Sequence, residues 1–497
     1  MASAAGVQSS EVKTPSPLMT DLKSVEQRSI IKPPYSALSL GRRRLILTTI
    51  TVAGLLGPLA GNIYLPALPV LQNAFGVGET AINATVTAFM VVFAFAPLIW
   101  ASYADVGGRR PLYILSLAIF IVANTLIAAV PARFGALVVL RLVQAFGSAA
   151  VVSMGAGTVA DVTEPKHRGK VMSYFLLGPQ LGPVVGPVLG GALGGEASWR
   201  WIFGFLALFG FAIWLMIVFM LPETLRYRMG NCQRFSETSW ILLPPRFSYT
   251  PVDEKQRGPA PPKPSIKGYW MLFSYPPIGI VSINTAMLYS TYFCIAVQLP
   301  TTLTKVYHWS IPAVGAAYLA IGIAMIAGSI IGGHANDWRR ATLLKLSADD
   351  KVEPESRLVD QIWGVLVCVA GTLLYGWFAD RAIHPAGLLV ATFLAGFGMS
   401  WIFVSTTAFL SECVPQQAAG AFALGNMLRS PAAGVAAVLV PVLVSSMGIG
   451  WFFTGWAIFD LIVVGGAVIV LNIFGPRWRK ERNEKARLRA SVQNATK

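Results

Sequence analysis

Twelve separate apolar runs constrain the fold of this chain of 497 residues more than any other feature. A helix needs roughly 20 apolar residues to cross a bilayer. Only 12% of the residues are charged, about half the share found in soluble globular proteins. We therefore predict an all-α polytopic membrane protein. The predicted spans are 45–71, 81–103, 111–130, 135–160, 170–192, 200–221, 276–300, 312–334, 362–379, 386–411, 418–445 and 450–474.

The basic residues are distributed unequally between the two sides of the predicted bundle. With both termini in the cytoplasm, 33 of the 39 lysines and arginines lie on the cytoplasmic side. This asymmetry is the positive-inside pattern of membrane proteins. The distribution of the basic residues behind the net charge of +16 therefore sets the orientation, and we expect no nucleic-acid partner. We predict a multi-pass protein in the lipid bilayer of the plasma membrane, although a vacuolar membrane stays open.

A basic, proline-rich segment separates six spans from six more. This arrangement is typical of secondary transporters, in which two pseudo-equivalent halves surround a central cavity. A weak internal repeat agrees, because Asp105 precedes Arg109-Arg110 just as Asp337 precedes Arg339-Arg340. The predicted units are a disordered cytoplasmic N-tail (1–44), an N-terminal six-helix bundle (45–222), a cytoplasmic central loop (223–275), a C-terminal six-helix bundle (276–474) and a basic cytoplasmic C-tail (475–497).

Several motifs resemble those of the major facilitator superfamily. They are "YADVGGRR" (103–110) for the loop between spans 2 and 3, "LRLVQAFGSAA" (140–150) for helix 4, and "GPQLGPVVGPVLGG" (178–191) for helix 5. The sequence departs from the family pattern at Ala101, Val106 and Ala145. "WRWIFGFLALFG", "LPETLR" and "PESRL" are similar to the fungal-type drug:proton antiporters with twelve spans. The resemblance covers about residues 45–475 and implies the family's fold of two six-helix bundles.

Helix 5 carries glycines at strict four-residue spacing with prolines beside them. Residues four apart share one helix face, and small residues let membrane helices approach closely. Each proline also removes a backbone donor. We expect a close, bendable gating contact between the halves, with plain packing against a neighbouring helix as the alternative. The gating residues are Gly178, Pro179, Gly182, Pro183, Gly186, Pro187 and Gly190.

Two arginines lie within predicted spans, Arg141 and Arg429. A guanidinium inside a membrane is costly and normally faces a cavity or a carboxylate. The resemblance assigns Arg141 to proton coupling or substrate contact, with Gln144 beside it in the helix 4 motif. Arg429 is a second candidate because it is also a cation within a span, and structural pairing stays open for both arginines. The two cations favour an anionic or hydrogen-bond-accepting substrate. Asp460 is the one acid well inside a predicted span, and either coupling or internal pairing could explain it.

The resemblance further implies a cytoplasmic latch between the halves, in which the loop after span 2 pairs with an acid at the end of helix 4. A solvated turn that serves topology alone is the alternative. The latch residues are Asp105, Gly108, Arg109, Arg110, Asp161, Arg168 and Asp337. Polar and aromatic residues that could line the cavity, or equally join helices, are Asn62, Tyr64, Gln180, Asn284, Tyr289, Gln298, Trp401 and Asn426.

No motif for ATP hydrolysis, zinc-dependent proteolysis or a nucleophilic serine occurs. We therefore expect no enzyme, no catalytic residues, no metal and no cofactor, with the proton gradient as the coupling ion. The sequence predicts a monomeric, proton-coupled antiporter that exports a small organic molecule, a drug or secondary metabolite, by alternating access. A dedicated exporter of an endogenous organic acid or amphiphilic metabolite is the alternative. A non-transporting membrane sensor is more remote, because the predicted tails are short and polar.

Overall fold

The computed structural model describes residues 38–164, 168–196, 198–229, 273–346, 353–413 and 418–495, together with 36 and 270. Twelve helices in this described part are long and apolar enough to cross a membrane, which confirms the predicted all-α class. The first six are α1 (Leu40–Asn62), α2 (Glu79–Gly107), α3 (Arg109–Ala129), α4 (Phe134–Val162), α5 (Arg168–Glu196) and α6 (Trp199–Met220). The next five are α7 (Pro276–Lys305), α8 (Ile311–Leu346), α9 (Gln361–Asp380), α10 (Pro385–Cys413) and α11 (Ala418–Met447).

The twelfth helix, α12, has three parts. Ile449–Asp460 is followed by a π-helical turn, Leu461–Gly465, and then by Gly466–Ala495. Gly448 separates α12 from α11 with φ of 85°, a backbone conformation that favours glycine. The helix therefore continues through most of the residues predicted as a C-tail.

The helices form two pseudo-equivalent bundles. In the N-terminal bundle, α1 packs on α5, α2 on α4, and α3 on both α4 and α6. In the C-terminal bundle, α7 packs on α11, α8 on α10, and α9 on both α10 and α12. Adding six to each helix number converts the first set of contacts into the second. The two bundles meet through α2 with α11 and α5 with α8.

Among the described residues, the hydrogen bonds that join the bundles lie between the middle of the molecule and one end. We call the end at which α1 begins the basal end and the opposite one the distal end. Near the distal end, Glu79 of α2 lies 3.4 Å from Lys305 of α7 and accepts a hydrogen bond from Thr301 at 3.2 Å. Deeper in the bundle, the Thr87 hydroxyl donates to the Gly434 carbonyl at 2.6 Å. The molecule is thus closed at its distal end.

The first span differs from its predicted bounds. Helix α1 begins at Leu40, where the Ser39 hydroxyl accepts from the Arg42 amide at 3.4 Å and caps the helix. It ends at Asn62 rather than continuing to residue 71, and a single 3-10 turn (Leu65–Ala67) and a short helix (Leu68–Phe75) follow. The prolines in this stretch stand in the first turns of those elements, where they need no helical donor. The disorder predicted for residues 1–35 lies outside the described residues.

Helix α8 is longer than predicted. It contains 36 residues and continues to Leu346, so the predicted loop from 335 is wrong for its first twelve residues. Good helix formers such as Ala, Leu, Arg and Lys dominate this polar extension. Hydropathy marks only the lipid-facing part of a helix and misses such an extension. The larger part of the predicted central loop, residues 230–269, lies outside the described residues.

Candidate functional site

The glycine strip of α5, defined as Gly178, Gly182, Gly186 and Gly190, packs against α1 of the same bundle. A Cβ atom on Gly182 would lie 2.7 Å from the Leu59 nitrogen, and one on Gly186 would lie 3.1 Å from the Ile63 nitrogen. At the two ends of the strip, a Cβ would overlap backbone carbonyl oxygens of α1. The sequence predicts a contact between the halves here. The structure corrects that location, because this face of α5 meets a helix of its own bundle.

A different face of α5 contacts the other bundle. A Cβ atom on Gly191 would lie 2.5 Å from the Cα of Gly315 in α8, and one on Gly315 would lie 2.8 Å from the Pro187 carbonyl oxygen. Nearer the middle, the Val184 side chain occupies the space above Gly322. Pro187 therefore lies at the contact between the bundles, one helix position away from the glycine strip.

Tyr292 of α7 connects the two bundles near their middle. Because Pro187 has no N–H, the Pro183 carbonyl lacks its helical donor. The Tyr292 hydroxyl lies 3.5 Å from that carbonyl oxygen and 3.3 Å from Oδ1 of Asn62. The Asn62 amide nitrogen donates to the Pro58 carbonyl at 2.7 Å. A tyrosine of the C-terminal bundle thus lies within hydrogen-bonding distance of a backbone group that a proline has freed in the N-terminal bundle, and of Asn62 beside it.

Arg141 is enclosed in the N-terminal bundle, with 0% of the residue exposed. Its Nη1 donates to the Ala60 carbonyl at 3.1 Å and to Oε1 of Gln144 at 2.6 Å. The guanidinium also lies over the rings of Tyr64 and Phe89, at 4.0 and 4.4 Å. Its Nε and Nη2 atoms have no hydrogen-bond partner in the described part of the chain. Dipoles and ring faces therefore stabilise this cation.

The Arg141 network includes Asn124, a residue that the sequence analysis does not single out. Gln144 donates to Oδ1 of Asn124 in α3 at 2.5 Å, and Asn124 donates to the Phe120 carbonyl at 2.7 Å. The network continues on another side, where the Tyr64 hydroxyl lies 3.4 Å from that of Thr85. The sequence signal for Asn124 is an amide side chain in an otherwise apolar span. Such a side chain is equally consistent with ordinary packing between membrane helices.

Arg429 lies beside an open pocket in the basal half of the C-terminal bundle. Its guanidinium is 4.3 Å from the centre of the Tyr289 ring, which stacks on Tyr292 with 5.8 Å between centroids. The pocket encloses about 350 Å³, counting space open to its surroundings. Hydroxyl and amide groups stand at its wall beside apolar side chains. The lining includes Ser282, Thr285, Phe403, Thr406, Asn426 and Arg429.

The other predicted cavity residues are spread over the molecule. Asn284 is buried, and its amide atoms have no hydrogen-bond partner among the described residues. Gln298 donates to the Thr302 hydroxyl of its own helix at 3.4 Å. Trp401 packs on Gly332 of α8, and the Gln180 side chain is exposed on α5. The structure thus brings Asn426 and Tyr289 to Arg429, and Tyr64 to Arg141.

The predicted latch is built around Arg109, whose Nε donates to the Asp161 carboxylate. Glu223, which the sequence does not predict here, accepts the backbone N–H groups of Arg109 at 2.9 Å and Arg110 at 3.2 Å. A carboxylate at this position satisfies free donors of a helix N-terminus. Gly108 has φ of 97°, and a Cβ there would lie 2.5 Å from the Glu223 carboxylate. These contacts join elements of one bundle, whereas the prediction placed them between the halves.

The remaining latch residues differ between the bundles. The side chains of Asp105 and Arg168 lie outside the described residues. Asp337 is exposed on α8, and the neighbouring Arg339 pairs with Asp360 before α9 at 2.5 Å. The repeated sequence therefore produces a basal ion pair in each bundle, although the acids come from different elements.

Two pseudo-equivalent bundles that touch towards one end, with a pocket nearer the other, define a membrane transporter. The profile of the Major Facilitator Superfamily matches residues 50–348, and the chain belongs to that family, as its motifs predict. It is 39% identical to Dityrosine transporter 1 of Saccharomyces cerevisiae over 88% of this chain and 81% of that protein. It is also 39% identical to Multidrug transporter DTR1 of Candida glabrata, over 88% and 86%.

A solved structure shares the fold. The xylose transporter XylE from E. coli, in a partially occluded inward-open conformation, aligns with a TM-score of 0.58 at 15% identity, over 86% of this chain and 97% of that one. The fold-class prediction of two six-helix bundles is confirmed.

Proposed function

We propose that this chain is a proton-coupled antiporter that exports a small organic molecule by alternating access. It lies in the plasma membrane with both termini cytoplasmic, and it functions as a monomer. The observation that carries the proposal is the asymmetry of the bundle contacts, which close the distal end and leave the Arg429 pocket in the basal half. The basic residues favour a cytoplasmic basal end, so this conformation fits the loading state of an exporter.

Substrate loading begins at the Arg429 pocket. The guanidinium and the surrounding hydroxyl and amide groups can bind a carboxylate or other acceptor, while Tyr289 and Phe403 supply apolar contact. Charge-assisted hydrogen bonds contribute about 1.5–3 kcal/mol each. One cation in the pocket is therefore enough to favour solutes that carry a hydrogen-bond acceptor over solutes that do not. The apolar walls provide the remaining affinity.

Export then requires the distal contacts to open. The exposed pair of Glu79 and Lys305 contributes at most about 1 kcal/mol, and the long hydrogen bonds of Tyr292 are similarly weak. Contacts of this strength can be exchanged for new ones at the basal end. Substrate and proton must each favour one of the two states for their movements to be coupled. In the proposed cycle Arg141 and Gln144 belong to the coupling network, since they lie between α1, α2 and α4.

The test is transport by the full chain reconstituted into proteoliposomes, with dityrosine as the probe. We expect an imposed pH gradient to drive dityrosine movement against the proton flow, and a protonophore to abolish it. Equal flux with and without the gradient would contradict proton coupling. Comparative metabolomics of culture medium with and without the protein identifies the native solute, and an unchanged medium argues against export.

A dedicated exporter of an organic acid derived from an aromatic amino acid is the second candidate. The arrangement of Arg429 over Tyr289 favours it, because a cation and an aromatic face suit a carboxylate attached to a ring. The name of the Saccharomyces relative points the same way. Competition distinguishes the candidates. A dedicated exporter of acids is inhibited by aromatic amino-acid derivatives and not by tetraphenylphosphonium, whereas a multidrug exporter is inhibited by both.

A further inference from the structure

Asp460 is a buried carboxyl within α12 that no step of the proposed cycle uses. The residue is 2% exposed, and it lies about 16 Å along the helix axis from the distal start of α12, at 1.5 Å per residue. Its Oδ2 accepts a hydrogen bond from the Thr291 hydroxyl at 2.5 Å. Its Oδ1 has no partner among the described residues. An acid at this depth is costly and marks proton pathways in many transporters.

The Thr291 hydroxyl can serve either protonation state of this carboxyl. It accepts the indole N–H of Trp456 at 2.9 Å and lies 3.1 Å from the Met287 carbonyl oxygen. The hydroxyl has one proton and two lone pairs. When Asp460 is ionised, Thr291 donates to it. When Asp460 holds a proton, the carboxyl donates to Thr291, which turns its own proton to Met287. Proton binding therefore keeps every hydrogen bond between α7 and α12.

The backbone beside Asp460 is also unusual. Asp460 immediately precedes the π-helical turn Leu461–Gly465. Such turns are rare and occur frequently at functional sites. This geometry is independent of the hydrogen bonds, and it places the irregular part of α12 next to its single carboxyl within the membrane.

The groups around Asp460 do not balance a negative charge. Among the described residues, the titratable groups that interact with this carboxyl are the thiols of Cys294 on α7 and Cys368 on α9. The third neighbour, α11, has one titratable side chain in its described part, Arg429, which lies over Tyr289 instead. An ionised carboxylate without a compensating cation is costly in such surroundings, so a bound proton stabilises this packing.

Thr291 connects the carboxyl to the interface between the bundles. The next residue is Tyr292, whose hydroxyl contacts Asn62 and the freed Pro183 carbonyl of the N-terminal bundle. We propose that Asp460 is a proton-binding site whose occupancy is coupled, through Thr291 and Tyr292, to closure of the distal end. This inference rests on the proposed antiport. A bound proton favours the distally closed state, and its release favours opening, which is the order that antiport requires.

The first experiment needs no transported solute. Infrared spectra of the purified full chain are recorded over a pH series for the wild type, Asp460→Asn and the control Asp380→Asn, which removes an exposed acid at the end of α9. Asparagine can still accept from Thr291. We expect a carboxylic-acid band that titrates in the wild type and the control and is lost in Asp460→Asn. A spectrum without any band that depends on Asp460 overturns the proposal.

The second experiment separates coupling from transport, with dityrosine in proteoliposomes. Asp460→Asn is expected to reduce accumulation driven by a pH gradient at least tenfold and to keep dityrosine counterflow within twofold. If both rates are unchanged, or both are lost in a folded protein, the proposal is overturned. Failure of the proposed antiport looks different, because the wild type itself then shows no gradient-driven flux while the infrared titration persists.

A second variant covers the case in which Asp460→Asn does not fold. Thr291→Val keeps the carboxyl and removes the hydroxyl that joins it to α7. We expect the carboxylic-acid band to remain and gradient-driven accumulation of dityrosine to fall at least tenfold. Accumulation unchanged in Thr291→Val overturns the proposal.

Discussion

Arg141 and Arg429 are the same residue type inside the two pseudo-equivalent bundles, and their surroundings differ. Arg141 is fully enclosed by Tyr64, Phe89 and a chain of amide groups. Arg429 lies over Tyr289 at the wall of an open pocket. A cation that is enclosed by its own bundle can respond to a change in helix packing, whereas a cation beside an open pocket can bind a solute. In the proposed cycle Arg141 therefore belongs to the coupling network and Arg429 to solute recognition.

The largest effect is expected for Arg141→Ala. Two hydrogen bonds from a charged donor are lost, at about 1.5 kcal/mol each, which corresponds to roughly a 100-fold lower export rate. The protein should remain folded by size-exclusion chromatography. Arg141→Lys is the control, because it keeps the charge without the planar fork, and we expect partial activity. Normal export in the alanine variant would remove Arg141 from the coupling role.

The next effect tests whether the N-terminal bundle is a rigid unit. Gly182→Leu forces a side chain against Leu59, and overpacking of this kind costs about 2 kcal/mol. We expect a melting temperature lower by several degrees, with export reduced as a consequence. Gly455→Leu is the matched control, since nothing lies within 4 Å of a Cβ at that position. Equal melting temperatures for the two variants would show that the glycine strip is loosely packed.

Arg429→Ala sharpens the comparison through kinetics. Loss of one charge-assisted interaction, at least about 1.5 kcal/mol, should raise the KM for dityrosine at least tenfold with little change in maximal rate. Arg429→Lys should recover part of the affinity. The opposite result, a lower maximal rate at unchanged KM, would place Arg429 in coupling and remove the difference in role between the two arginines.

The smallest effect is expected for Lys305→Ala at the distal end. An exposed ion pair contributes about 0–1 kcal/mol, so the export rate should change less than about fivefold. The wild type should also approach the variant at high salt, because exposed charges are screened. A much larger loss would mean that this pair holds the distal end closed almost alone.

The sequence predicts the fold well because hydropathy is a local property. Twelve runs of apolar residues define twelve spans whatever their partners are. Helix ends outside the lipid are different, and the extensions of α8 and α12 were missed since polar helical residues resemble a loop in hydropathy. The ends of elements therefore depend on helix propensity and neighbouring contacts that the apolar pattern does not contain.

The site was only partly predictable, because its contacts join distant parts of the chain. Four-residue spacing predicts a smooth face on α5, but it does not say whether α1 or α8 fills it. Glu223 caps α3 across 114 residues of sequence, and Tyr292 meets Asn62 across 230. Glu223 and Tyr292 have no local sequence feature that identifies their partners. The residue types indicated which positions are polar, but only the three-dimensional structure shows which residues pair.

The length of α8 has a mechanical consequence. Its 36 residues span about 54 Å, against a hydrocarbon layer of about 30 Å, and Arg339 joins the protruding part to Asp360. When the C-terminal bundle tilts, the end of α8 near Leu346 is therefore displaced further than the part of the helix inside the lipid. A spectroscopic label at that tip reports the rotation from outside the lipid, away from the path of the solute.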